Sequence, residues 1–380
     1  MADREQGMSN RDTIRLATRS SDLARRQAAT VKEALESRRQ DVELVEVETT
    51  GDRIRDELIH RLGKTGAFVR SLDEKVIDGE VDAAVHSMKD MPTDQPEELI
   101  VSGIPERGPP GDVLVTPDGT SLDDLPEGAT VGTSSLRRQA QLLDARPDLT
   151  VEPLRGNVDT RVEKLLAPGL QAEHEARTEA EKERKGNAGN DEYEHPYDRD
   201  VEEWFSDLAE IERRAMEREV ETEYDAIVLA EAGLERSGLL HRIEYERLPT
   251  TDFVPSPGQG ALAVTSLDDA VGERIHTALD NPRTRVETTV ERTILAELGG
   301  GCVAPIGVYA VVQGEHVNAV VRVYSRDGGE TVATSRDLSV ERHVRDARAF
   351  AQDLAEQGAA ELIEEAKREE GEGEAKRGEE

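Results

Sequence analysis

Residues 14–50 read IRLATRSSDLARRQAATVKEALESRRQDVELVEVETT. Ile14 to Thr18 is strand-like, Asp22 to Arg38 sets Ala24, Ala28, Val31 and Leu35 at helical spacing, and Val42 to Thr50 returns to a strand-like pattern. Strand, helix and strand in that order make a βαβ unit. The apolar run Val81 to Val85 adds another strand and ends in the polar loop His86-Ser-Met-Lys-Asp90. In open α/β sheets ligands bind at such carboxyl ends of strands.

Outward from this unit, Ile104-Pro-Glu-Arg-Gly-Pro-Pro-Gly111 marks a boundary or hinge. A second α/β unit follows. Thr130 to Gly132 ends a strand, Ser134 and Ser135 can cap, Leu136 to Ala145 is helical, and Asp225 to Ala230 is a buried strand. Phe253 to Gly260, with Pro255 and Pro257, reads as a return crossing. Between Leu166 and Tyr224 the composition shifts to Glu, Arg and Lys, as in an insertion. Its later part sets Val201, Trp204, Phe205, Leu208, Ile211 and Ala215 near one helical face, which predicts at least one amphipathic helix docked on the body. A third unit opens with a helix over Pro282 to Leu298, stopped by Gly299-Gly-Gly301, and Cys302 follows at once. Strands are expected at Ile306 to Val312, Val317 to Tyr324 and Thr331 to Asp337, then a helix from about Val340 to Ala366. The charged, glycine-bearing tail from Lys367 to Glu380 is expected to be disordered.

A chain of 380 residues fits two or three domains and can bury a sizeable core. Its net charge is -34, and only nine of its 48 basic residues are lysine. Such a surface repels nucleic acid and anionic membranes, so neither is an expected partner. Acid excess with scarce lysine suggests a salt-rich cytoplasm, where concentrated salt screens self-repulsion. The single cysteine cannot form an internal disulfide, and the polar start has no signal-peptide core, so the expected compartment is the cytoplasm. No run approaches the roughly 18 apolar residues of a membrane span.

Two segments repeat one arrangement. Ala17-Thr-Arg-Ser-Ser21 and Gly132-Thr-Ser-Ser-Leu-Arg-Arg138 each join a strand to a helix, where free amides, hydroxyls and the helix dipole favour an anion. Either alone is an ordinary helix cap with solvated arginines. Leu154-Arg-Gly-Asn-Val158 and Arg161 add further arginines at loop or helix starts, and the planar guanidinium fork suits carboxylates. A ligand with several carboxylates is therefore expected. Lys89 beside Asp90 reads either as a structural ion pair or turn cap, or, facing a cleft, as a carboxylate that stabilises a cation or passes a proton to a leaving amine. A lone cysteine is usually a small buried hydrophobe, but a triple glycine before Cys302 would let the sulfur be exposed past a helix end, as covalent attachment requires. No His or Cys cluster has metal-ligand spacing, so no metal is expected.

Taken in order, Ala17-Thr-Arg-Ser-Ser21, Ala84-Val-His-Ser-Met-Lys-Asp90, Val131-Gly-Thr-Ser-Ser-Leu-Arg-Arg-Gln139, Leu154-Arg-Gly-Asn157, Tyr224-Asp-Ala-Ile-Val-Leu-Ala230, Gly258-Gln-Gly-Ala261 and Gly300-Gly-Cys-Val-Ala-Pro305 resemble the hydroxymethylbilane synthase (porphobilinogen deaminase) family from about residue 14 to residue 366. The resemblance implies an α/β fold: two doubly wound domains like those of periplasmic binding proteins, and a small α/β C-terminal domain. The expected bounds are 11–105 with 254–281, then 110–253 with an acidic insertion at about 167–223, then 282–366, with 367–380 as the tail. It implies a transferase of porphyrin and haem biosynthesis that joins four porphobilinogens head to tail, releasing ammonia and then hydroxymethylbilane. The cofactor would be a dipyrromethane held through a thioether to Cys302. Asp90 would manage charge on the pyrrole nitrogens and the departing amine. Arg19, Ser21, Asp52, Ser87, Lys89, Thr133, Ser135, Arg137, Arg138, Arg155, Asn157, Arg161 and Gln259 would hold cofactor and substrate, and the enzyme is expected to be a monomer.

That chemistry attacks azafulvene-like cations with an electron-rich pyrrole carbon, so it needs a fixed carboxylate and positioning arginines in one cleft. Two departures from the family stand out: Gly63-Lys-Thr-Gly66 displaces a lysine by one position, which puts the reach of Lys64 in question, and an acidic segment replaces a short turn. The competing readings are a two-lobed binding protein for a small carboxylate and an enzyme with a free catalytic thiol. Asp90 and Cys302 discriminate against the first; alkylation of native Cys302 with no bound chromophore would mark the second.

Overall fold

The computed structural model of the chain describes residues 13–47, 65–186, 196–300 and 304–377. In chain order, β1 (Thr13–Arg19), α1 (Asp22–Ser37), β2 (Asp41–Val47), α2 (Thr65–Ile77), β3 (Ala83–Ser87) and β4 (Leu99–Gly103) build most of a first sheet. A single 3-10 turn, Met88–Asp90, follows β3. The chain then crosses to β5 (Asp112–Val115), β6 (Thr130–Gly132), α3 (Leu136–Ala145), β7 (Thr150–Glu152), α4 (Val158–Gly186), α5 (Val201–Asp207), α6 (Glu210–Met216), β8 (Ala226–Ala230), α7 (Glu231–Ser237) and β9 (Tyr245–Arg247). It returns as β10 (Leu262–Leu267) and α8 (Ala270–Leu279) before α9 (Pro282–Glu297), β11 (Ile306–Gln313), β12 (His316–Tyr324), β13 (Thr331–Ser339), α10 (His343–Leu354) and α11 (Ala360–Arg377).

The two five-stranded sheets share one plan, β2-β1-β3-β10-β4 and β7-β6-β8-β5-β9. In each, three strands run parallel and the fourth position is an antiparallel strand supplied from across the molecule: β10 in the first, β5 in the second. Alternation along the strands covers both faces. Leu16 and Ala83 pack toward Val31 and Leu35 of α1, whereas Ala17 and Ala84 pack toward Leu72 and Val76 of α2. The second sheet repeats this, with Ile227 and Leu229 against Val162 and Leu165 of α4, and Val131 and Val228 against Leu142 of α3. Both sheets are therefore doubly wound. The third sheet, β11-β12-β13, is an antiparallel meander whose buried face meets Val290 and Ile294 of α9 and Phe350 of α10.

Local chemistry explains the element ends. Ser21 caps α1 by accepting from the Ala24 amide at 3.4 Å, and Ser135 caps α3 through the Arg138 amide at 3.4 Å. At the end of α9 the Gly299 amide bonds Ala296 O and the Gly300 amide bonds Leu295 O, a Schellman motif with Gly299 at φ 65°. The helix expected over Val340 to Ala366 is interrupted at Gly358, φ 105°, which separates α10 from α11. Helix then continues to Arg377, through most of the tail expected to lack structure. The expected amphipathic stretch forms two short helices: α5 and α6 turn at Leu208, burying Trp204, Leu208, Ile211 and Ala215 and leaving Phe205 40% exposed.

Candidate active site

The carboxyl ends of β1, β3, β6 and β7 carry the residues singled out in the sequence. Arg19 ends β1 half-buried, and Ser21 is committed to its cap. Ser87 ends β3, and the Met88–Asp90 turn puts Lys89 half-buried and Asp90 exposed. Thr133 is buried, its hydroxyl accepting from the Ser135 amide at 3.2 Å. Arg155 and Asn157 are exposed in the loop after β7, where Asn157 caps α4 through the Thr160 amide at 2.9 Å. Asp52, Lys64 and Cys302 lie outside the described residues.

Lys89 lies within electrostatic reach of groups from both sheet units. Desolvation pushes its ammonium below its ordinary range; Asp90 of its own turn opposes this, Arg138 reinforces it, Asp112 opposes it and Arg161 reinforces it. Three of those four groups belong to the second sheet unit. Arg161 donates from Nε to the Gly156 carbonyl at 2.8 Å, and burial together with Arg138 pushes it down to about 10. Arg138 lowers both Lys89 and Arg161, so the three cations act on one another as like charges.

Three expected ligand-holders converge instead on a residue that the sequence reading missed. The Asp112 carboxylate, 0% exposed, accepts from Arg137 Nη2 and Arg138 Nη2, each at 2.7 Å, and from Gln259 Nε2 at 2.8 Å. Burial alone would raise its pKa, but the two guanidinium groups outweigh burial and hold the carboxyl well below the usual range. Arg137 is fully engaged at its tips, with Nη1 also on Gln141 Oε1 at 2.8 Å and the Val254 carbonyl at 2.9 Å. Gln259 further bonds the Pro110 carbonyl at 2.7 Å, tying the return crossing to the first. Arg137 and Gln259 therefore have protein partners where substrate carboxylates were expected. Arg138 is engaged in the same way, its Nη1 donating to the Val228 carbonyl at 3.1 Å, but it also acts electrostatically on both Lys89 and Arg161. The signal for Asp112 was a carboxylate heading the apolar run Asp-Val-Leu-Val just after the Gly-Pro-Pro-Gly break.

The second crossing also shapes the Asp90 turn. Gly258 has φ 74°, and a Cβ there would lie 2.8 Å from Met88 Cγ and 3.3 Å from the Lys89 amide nitrogen. Beneath the turn, His86 Nε2 lies 3.0 Å from both Asp73 Oδ1 and Thr265 Oγ1, so β3, α2 and β10 share one buried polar node. Among the described residues no cluster of His, Cys, Asp or Glu could hold a metal ion, and no helix is long and apolar enough to cross a membrane.

The donor set suits a dipyrrole bearing several carboxylates: Lys89, Arg138 and Arg161 lie within electrostatic reach of one another, and Arg137 and Arg138 each keep a buried Nε without a partner. Comparison with known proteins leads to the same group. Residues 14–176 and 209–272 match the family described as porphobilinogen deaminase, dipyromethane cofactor binding domain, and 286–359 match its C-terminal domain. A probable porphobilinogen deaminase of Halobacterium salinarum is 53% identical over 94% of this chain and 98% of its own length. One from Methanococcoides burtonii is 37% identical, covering 92% and 96%, and the porphobilinogen deaminase of Sulfurimonas denitrificans is 34% identical, covering 92% and 95%. The periplasmic aliphatic sulphonate binding protein of Escherichia coli aligns with 91% of this chain and 86% of its own, at TM-score 0.32 and 12% identity. The chain belongs to the porphobilinogen deaminase family, transferases that assemble the tetrapyrrole chain of porphyrin biosynthesis.

Proposed function

We propose that the cleft between the two five-stranded sheets binds porphobilinogen and the growing pyrrole chain, with a dipyrromethane primer joined by a thioether to Cys302. The observation that carries this reading is the set of desolvated, mutually repelling cations Lys89, Arg138 and Arg161 beside the exposed carboxylate of Asp90. Bound, the dipyrromethane supplies the pyrrole carbon from which the chain is extended. Lys89, Arg138 and Arg161, with Arg19 and Arg155 at neighbouring strand ends, bind and orient acetate and propionate groups. As a carboxylate, Asp90 opposes the positive charge that develops on porphobilinogen as ammonia departs. Arg137, Gln259 and Asp112 act one step back, by fixing the guanidinium of Arg138 and the two crossings.

The same reading makes the enzyme a cytoplasmic monomer adapted to salt. Among the described residues only Ile77, Ile100 and Phe205 are large exposed hydrophobics, and this scattered exposure supports the monomer reading. The attachment is tested by intact mass of the denatured protein. Wild type should carry the mass of one dipyrrole, whereas Cys302→Ala should fold, lack that mass and lack activity. An unmodified mass on active wild type would sink the proposal.

A further inference from the structure

We propose that Arg292 is a positioning residue for the reaction: from the helix that leads to the cysteine, it holds the Met88–Asp90 turn by its main-chain carbonyls and so fixes Asp90 relative to the primer-bearing domain. This inference rests on the role given to Asp90 above.

The contacts are specific. Arg292 Nη1 donates to the Met88 carbonyl at 3.3 Å and the Met91 carbonyl at 3.1 Å, and Nη2 donates to the Pro92 carbonyl at 2.6 Å. No carboxylate pairs with Arg292 among the described residues, and burial pushes its pKa down. A half-buried guanidinium satisfied by carbonyls alone gives up hydration without gaining a counter-ion, and the planar fork suits it to holding several main-chain oxygens of one segment. That segment needs holding. A three-residue 3-10 turn has one closing bond of its own, Met91 N to Met88 O at 3.2 Å, and among the described residues no hydrogen bond fixes the Asp90 carboxylate.

The neighbouring residue of α9 points to the same purpose. Glu291, 0% exposed, takes Arg107 of the first crossing on both oxygens, at 2.7 and 3.1 Å. It also accepts from the Gly258 amide of the second crossing at 2.7 Å and from the Ala310 amide of β11 at 2.9 Å. Successive residues of one helix thus grip both crossings and the Asp90 turn. The same helix ends in the Gly299 and Gly300 turn that leads to Cys302. Lysine can restore the charge of Arg292 but not a fork spanning three carbonyls.

The test uses full-length, primer-loaded enzyme carrying Arg292→Gln or Arg292→Lys, each made alone and together with Asp90→Asn. In single-turnover addition of porphobilinogen, both single variants should lose about 10- to 100-fold in rate, as for a misplaced reacting group, with KM changed less than about threefold and primer mass retained. In the Asp90→Asn background the Arg292 substitutions should cost less than about twofold more, because the group they position is already gone. Equal proportional losses in both backgrounds, a change confined to KM, or full rescue by lysine would overturn the proposal. If Arg292→Gln does not fold, Arg292→Lys decides; if that variant folds without loading primer, the role is structural and the proposal fails. Wild-type turnover in Asp90→Asn alone would instead defeat the reading of Asp90.

Discussion

At the scale of single residues, the site separates cations that face the cleft from those that build it. Asp90 is the exposed carboxylate among them, so Asp90→Asn should keep the fold and the primer while lowering kcat by about 100-fold or more, roughly 2.7 kcal/mol of barrier. Steady-state turnover with intact mass checks this, and a loss of only a few-fold would move the charge-handling role elsewhere. Lys89 and Arg161 give a pH dependence. Both are depressed in the free cleft, Arg161 to about 10, and incoming carboxylates favour their charged forms. Binding strength is therefore full below the free-state pKa values and lost as pH rises through them. KM for porphobilinogen should climb as pH rises toward about 10, and Lys89→Gln should start with a higher KM and climb less. The cations were legible because basic residues at strand ends are conspicuous in an acidic chain. Asp112 and Glu291 were not, because an acid in an acidic chain reads as surface until its buried partners are seen.

At the scale of elements, sequence pattern located α3 to its observed bounds and α1, α9 and the last three strands to within a few residues. It missed β4, β5, β7, β9 and β10. β7 and β9 have three residues each, too few for alternation to register, while β5 and β10 are crossing strands whose place depends on partners more than 100 residues away. The crossings meet at Asp112. Removing its charge leaves Arg137 and Arg138 buried without their counter-ion, so Asp112→Asn should destabilise by about 3–5 kcal/mol. The depressed folded pKa means that the stabilisation is present above the unfolded value near pH 4 and is lost as pH falls toward the folded one. Acid titration of thermal stability should accordingly be steeper in wild type than in the variant. The acidic segment also has readable limits: the family match pauses only over 177–208, whereas α4 runs unbroken from Val158 and Ile211 of α6 joins the core. Replacing 177–208 by a short turn should preserve primer loading and elongation. Removing all of 167–223 should cost the fold, because Arg214 and Arg218 of that segment neutralise the buried Glu163. A trimmed variant that loads primer yet cannot extend it would give the segment a part in catalysis.

At the scale of the whole molecule, 82 acidic residues against 48 basic ones set up a self-repulsion that no single contact relieves. The buried pairs described above are shielded from salt, so the salt response belongs to the exposed carboxylates. The Debye length falls from about 10 Å at 0.1 M to about 3 Å at 1 M, which is the range over which repulsion between neighbouring surface charges disappears. The thermal midpoint should therefore rise by several degrees between about 0.1 and 1 M potassium chloride, and rise similarly in sodium chloride, with about 2–4 °C for each kcal/mol recovered in a domain of ordinary size. Sucrose at equal osmolality strengthens burial without screening, so it separates the two causes. If charge is responsible, sucrose should not substitute for the chloride salts, and exchanging several exposed glutamates of α11 for glutamine should raise the midpoint at 0.1 M but not at 1 M. A midpoint that is flat in chloride, or that follows sucrose as closely as salt, would assign the stability of this chain to its core and leave the acidic surface serving solubility alone.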